Sequence, residues 1–151
     1  MDLKSANPQS LRGVGHFGPY GPEAKILNLK LSQEAVMKKF ALFVFNGDPM
    51  CFIHVLLNAL DMTEKGYETK IVIEGAATKL ILELEKKGNP LHQLWQRARA
   101  KGLVEGVCKA CANKMETIVE TKSLGLPLLE DMLGHPGMAR YRDAGFEIIT
   151  F

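Results

Sequence analysis

The run Phe40-Ala41-Leu42-Phe43-Val44-Phe45 constrains this chain more than any other stretch. Six consecutive apolar residues leave no polar face, so the run predicts a strand covered on both sides, as in a parallel sheet. Asn46-Gly47-Asp48-Pro49 then turns the chain, with Asp48 as helix cap and Pro49 at the first helical position. The helix predicted from Pro49 to about Lys65 is apolar almost all round, broken by one stripe of Cys51, His54, Asn58, Asp61 and Lys65. Such a helix is expected to cover the sheet with one face and to meet a second subunit with another.

The same alternation continues downstream. Gly66 ends the helix, and Thr69 to Ile73 reads as a second strand. Glu74-Gly75 turns into a helix predicted over Ala76 to Lys87, and Gly88-Asn89-Pro90 separates it from another over Leu91 to Lys101. Leu103 to Val107 is a third strand. Behind it, Cys111, Ala112, Met115, Ile118 and Val119 repeat with helical spacing, predicting one continuous helix. Strands alternating with helices in this way indicate a parallel α/β sheet with right-handed crossovers. After Thr121 the pattern is weaker. Leu126 to Glu130 is a short strand or a helix start, His135-Pro136-Gly137 a turn, Met138 to Ala144 a short helix, and Gly145 to Phe151 a last strand.

Residues 1 to 38 read as an N-terminal arm or extension ahead of a single domain over 39 to 151, with room for a short strand at Ile26 to Leu31. Gly13-Val14-Gly15-His16-Phe17-Gly18 spells a dinucleotide-binding signature but lacks the preceding strand and is followed by Pro19 and Pro22, so it is read as loop. A net charge of +2 in 151 residues gives no electrostatic case for nucleic acid. The longest apolar region, Phe40 to Leu60, is interrupted by its turn and predicts no membrane span, and the polar N-terminus predicts no targeting segment. Three cysteines do not make a disulfide framework, and a reducing, cytoplasmic setting fits them best.

In an open parallel sheet, sites form beyond the carboxyl ends of the strands. Cys51 follows the first strand, Glu74 ends the second, and Cys108 and Cys111 follow the third. Cys108 should sit where a strand ends and a helix begins, a position that favours a low-pKa thiolate. Cys111 is in phase with the buried face of its helix. His54, one turn after Cys51, can serve as base or ligand or simply as a polar residue on the stripe. His135 can line the site, and Glu74 can move protons there. His92, Arg97, Arg99 and Lys101 read as solvated helix residues. Three chemistries fit: a dithiol switch through Cys108 and Cys111, a metal site using both with Cys51 and a histidine, or a sulfur carrier on one exposed thiolate.

From Phe40 onward the sequence resembles the DsrE/DsrF-like family of small sulfur-relay proteins. The resemblance lies in the apolar strand running into Asn46-Gly47-Asp48-Pro49, in Glu74-Gly75-Ala76-Ala77, in Gly106-Val107-Cys108-Lys109-Ala110-Cys111, and in His135-Pro136-Gly137-Met138 with Tyr141 and Gly145-Phe146-Glu147-Ile148-Ile149. It implies a three-layer α/β fold with a mostly parallel sheet of about five strands and helices on both faces. It also implies a homotrimer or homohexamer that passes persulfide sulfur between donor and acceptor proteins, needs no organic cofactor, and carries the sulfur on Cys108 with Cys111 or Cys51 helping.

Overall fold

A computed structural model describes residues 37–151. The readings of a strand at Ile26 to Leu31, of the glycine-rich stretch and of the arm lie outside the described residues. Among the described residues, five strands form one sheet in the order β4-β3-β2-β1-β5, every neighbouring pair parallel. They are β1 (Lys39–Val44), β2 (Glu68–Ile73), β3 (Val104–Cys108), β4 (Leu128–Leu129) and β5 (Glu147–Thr150). The expected α/β architecture is therefore present, with the apolar run of β1 in its interior.

Alternation along β1 divides the core in two. Leu42 and Val44 join Ile71, Ile73 and Val107 on one face, beneath Phe52, Val55, Leu56 and Ala59 of helix α1 (Pro49–Glu64). Helix α2 (Leu80–Leu84) adds Leu80, Ile81 and Leu84 there, and helix α3 (His92–Ala100) adds Trp95 and Ala98. Ala41 and Phe43 point to the other face, where Tyr141 and Phe146 cover them; the Tyr141 ring meets Phe43 at 5.3 Å and Phe146 at 6.1 Å, both T-shaped. Met50 and Leu57 of α1 stay exposed, while its other large apolar residues are spent wholly or partly on this core. No described helix is long and apolar enough to cross a membrane.

Two predicted helices take a different form. The segment after Glu74 begins as a tight 3₁₀ turn over Gly75–Lys79 and becomes α2 only at Leu80. Gly75 has φ +53°, and the Thr78 hydroxyl donates to its carbonyl at 2.9 Å, which winds the first turn tightly. The helix behind the cysteines is not continuous. Helix α4 (Lys109–Lys114) stops, and helix α5 (Ile118–Ser123) restarts on a new axis phase. Glu116 stands at φ 58° where glycine is usual, and the N–H groups of Glu116 and Thr117 close back on Asn113 and Ala112 at 3.2 and 2.8 Å. That is a Schellman ending with a carboxylate residue in the left-handed position. The phase break explains why Val119, expected inside, is 72% exposed.

Two local features shape β3. Between Ile71 and Val72 the β2–β3 register slips by one residue, so Glu105 is bulged out of the ladder. Gly106 lies so near β4 that a Cβ would meet the Pro127 carbonyl at 2.7 Å and the Leu129 side chain at 2.8 Å. Glycine is therefore required there for the fourth strand to dock. Helix α6 (Met138–Asp143) then covers the second face and delivers the chain to β5.

Candidate functional site

Four side chains from three separate segments meet beyond the ends of β2 and β3. Glu74 follows the last residue of β2, Cys108 ends β3, Cys111 lies in the first turn of α4, and His135 comes from the loop between β4 and α6. One carboxylate oxygen, two sulfurs and one imidazole nitrogen all lie within 4.8 Å of one another. His135 Nδ1 is 3.2 Å from Cys108 Sγ, 3.9 Å from Cys111 Sγ and 3.9 Å from Glu74 Oε2.

Local chain geometry sets each position. Cys108 caps α4, its sulfur accepting the Cys111 N–H at 3.3 Å, in the role an aspartate or serine would usually fill. Its thiol also faces the Gly134 carbonyl at 3.6 Å. Gly134 O accepts the Ala110 N–H at 2.8 Å, and Lys109 pairs with Glu130, so the histidine loop is tied to α4 at both residues between the two cysteines. Within the loop, Met132 and His135 exchange backbone hydrogen bonds, both at 2.8 Å, around a two-residue turn of Leu133 (φ 48°) and Gly134 (φ 89°). Asp131 holds the far side, accepting from the Gly137 N–H at 2.9 Å and from Arg140 at 3.2 Å.

The electrostatics correct the expectation of a low-pKa thiolate. Cys108 is fully buried, and burial pushes its thiol up to about 12 against the single backbone donor that favours the anion; Cys111 and the Glu74 carboxylate add to the rise. The six-residue helix it caps is too short to offset that. Glu74 is buried as well and its carboxyl is raised, first by desolvation, with His135 and Cys108 opposing. Cys111, expected in the core, is instead half-buried with its sulfur at the site.

Beside the cluster, a hollow of about 430 Å³ is lined by Phe45, Met132, Pro136, Met138 and Ala139 together with Glu74 and His135. Its walls are mostly apolar.

Of the residues nominated from the sequence, Glu74, Cys108, Cys111 and His135 are brought together. Cys51 and His54 are not members of this cluster. Cys51 is half-buried at the start of α1; among the described residues its sulfur has only the Asn46 amide, at 3.5 Å, and His54 is exposed on the outer side of that helix. The metal set of Cys51, Cys108, Cys111 and a histidine is therefore replaced by one in which Glu74 stands for Cys51. Asp131 and Gly75 were not foreseen as site residues. Asp131 anchors the histidine loop, and Gly75, whose Cβ would lie 2.9 Å from Phe45 O, lets Glu74 end its strand pointing at the cysteines.

Fold and site together define a parallel α/β protein with a thiol–imidazole–carboxylate cluster at the carboxyl edge of its sheet. The chain belongs to the family of the uncharacterized protein MJ0733 of Methanocaldococcus jannaschii, to which it is 34% identical over 97 residues, 64% of this chain and 77% of the relative. It is also 48% identical to an uncharacterized protein of Archaeoglobus fulgidus over 46 residues, 30% of this chain and 75% of that one. No family model and no solved structure matches the chain.

Proposed function

We propose that the cluster is a sulfur-transfer site in which Cys111 carries the sulfur and Cys108, His135 and Glu74 manage its charge. The observation that carries this is the one imidazole nitrogen within 3.2 and 3.9 Å of two thiols of unequal exposure. The DsrE/DsrF-like resemblance adds a sulfur-bearing cysteine after such a strand, at the position that Cys108 matches. The assignment shifts the acceptor from Cys108, whose sulfur is buried and held protonated, to Cys111, whose sulfur a partner can reach.

In the loading step Cys111 gives its proton to His135 Nδ1 and its sulfur attacks the outer sulfur of a donor persulfide. The donor S–S bond breaks, the donor leaves as a thiolate, and Cys111 becomes a persulfide. An acceptor thiolate then attacks the outer sulfur and restores the Cys111 thiolate. The carrier acts on donor and acceptor proteins in a reducing, cytoplasmic setting and assembles as a homotrimer or homohexamer. The exposed Met132, Met138 and fully exposed Leu133 around the hollow supply apolar contact for such partners.

The test is intact mass after incubation of the metal-free protein with a persulfide donor. One reducible sulfur is expected on the native chain and on Cys108→Ser, and none on Cys111→Ser. Absence of sulfur on the native chain, or undiminished loading of Cys111→Ser, overturns the proposal.

A further inference from the structure

We infer that Glu74, Cys108, Cys111 and His135 bind one divalent cation of the zinc class, a property beyond sulfur transfer at the same residues. The argument is geometric. Tetrahedral bonds of roughly 2.0–2.3 Å to nitrogen, oxygen and sulfur separate neighbouring ligand atoms by about 3.3–3.8 Å. The imidazole nitrogen lies 3.2 Å from one sulfur and 3.9 Å from both the other sulfur and the carboxylate oxygen. All four atoms fall within 4.8 Å of one another, so side-chain shifts of up to about 1 Å close the set.

The donor types and their setting narrow the choice of ion. Two thiols, one imidazole and one carboxylate suit zinc, cobalt or ferrous iron, whereas magnesium and calcium take oxygen donors and reject thiolates. Glu74 and Cys108 are buried, and among the described residues the Glu74 carboxylate has no hydrogen bond from a backbone N–H and no lysine or arginine partner; its polar neighbours are the other three members. A carboxylate placed against two thiols without a fixed positive partner is a costly arrangement, and a divalent cation at the centre repays it. The ligands are also pre-positioned from outside. The Ala110 N–H on Gly134 O, the Lys109–Glu130 pair and the Asp131 bond to Gly137 hold α4 and the histidine loop together whether or not an ion is bound. Four protein ligands complete a tetrahedron, the pattern of a closed site. With the ion in place the Cys111 sulfur is engaged, so cation binding and sulfur loading exclude each other.

The test is an anaerobic titration of the reduced, metal-free full chain with cobalt(II), followed by zinc(II). Expected are the intense visible bands of tetrahedral cobalt with a near-ultraviolet thiolate charge-transfer band, saturating at one ion per chain and bleached by one equivalent of zinc. His135→Ala, at a residue on the surface of the loop, should weaken binding at least about tenfold, and Cys111→Ser should lower the charge-transfer intensity. Weak octahedral spectra, or affinity and intensity unchanged in both variants, overturn the inference. Zinc-loaded protein should take up no sulfur from the persulfide donor. The loading assay on metal-free protein needs no cation, so failure of sulfur transfer and failure of metal binding show up separately.

Discussion

The junctions after β1 and after β3 are built on the same plan, and their difference explains where chemistry collects. Each is a strand end, a cap and a helix start at the carboxyl edge of the sheet, and each carries a cysteine in the first helical turn. After β1 the cap is Asp48, whose carboxylate accepts the Met50 N–H at 2.8 Å and starts a 16-residue helix. The cap is satisfied by carboxylate chemistry, and Cys51 is left with one weak amide contact. After β3 the cap is itself a cysteine, on a helix of six residues. The sulfur in the capping position lies buried beyond the strand end, with Glu74 and the histidine loop against it. Position in the fold is equal; the capping atom and the third segment are not.

The comparison can be broken most sharply with alkylation. A thiol pushed up to about 12 is ionised to roughly one part in 10⁵ at neutral pH. In metal-free protein Cys108 should therefore stay unmodified under conditions that label Cys51 and Cys111, and its rate should climb continuously towards pH 12. Peptide mapping after iodoacetamide pulses at increasing pH measures this, and a plateau below pH 10 would contradict it. Loading from the persulfide donor comes next. Loss of the imidazole in His135→Ala should slow it by on the order of a hundredfold, whereas Cys51→Ser should leave the rate unchanged.

Two substitutions compare the scaffolds themselves. Gly75→Ala places a Cβ against Phe45 O at a left-handed φ. It should cost about 2–3 kcal/mol in denaturant unfolding and weaken loading by displacing Glu74. Asp48→Ala removes the cap of the first junction and should cost about 1 kcal/mol with no effect on loading. If it lowered loading as much as Gly75→Ala, the two junctions would be coupled rather than merely alike.

Much of this fold was readable because its interior strands and turns announce themselves. Phe40 to Phe45 could only be a doubly covered strand, and Asp48-Pro49 could only start a helix. The candidate site followed from topology, which placed Glu74 and the Cys108–Cys111 pair on one edge. What the sequence does not carry is distance. Nothing in the spacing of His135 says that its loop folds back to 3.2 Å from Cys108 while Cys51, equally well placed in topology, stays out of the cluster. Local backbone choices were equally hidden. Glu116 breaks a regular apolar repeat by taking a left-handed conformation that glycine would have signalled. Cys108 looked like an activated thiolate because helix starts favour anions, and its complete burial outweighs that.

The order of the strands has a consequence for how the chain reaches this state. β4 and β5 lie at opposite edges, and the segment from Glu130 to Phe146 that joins them must pass across a sheet roughly 19 Å wide. His135 rides on that segment. No pair of neighbouring strands is a hairpin, so every pairing closes a long loop, and such topologies fold slowly. The imidazole reaches the cysteines from the β4 edge, where Gly134 O accepts the Ala110 N–H and Lys109 pairs with Glu130. A chain in which that edge has not docked on β3 holds its cysteines without the imidazole beside them.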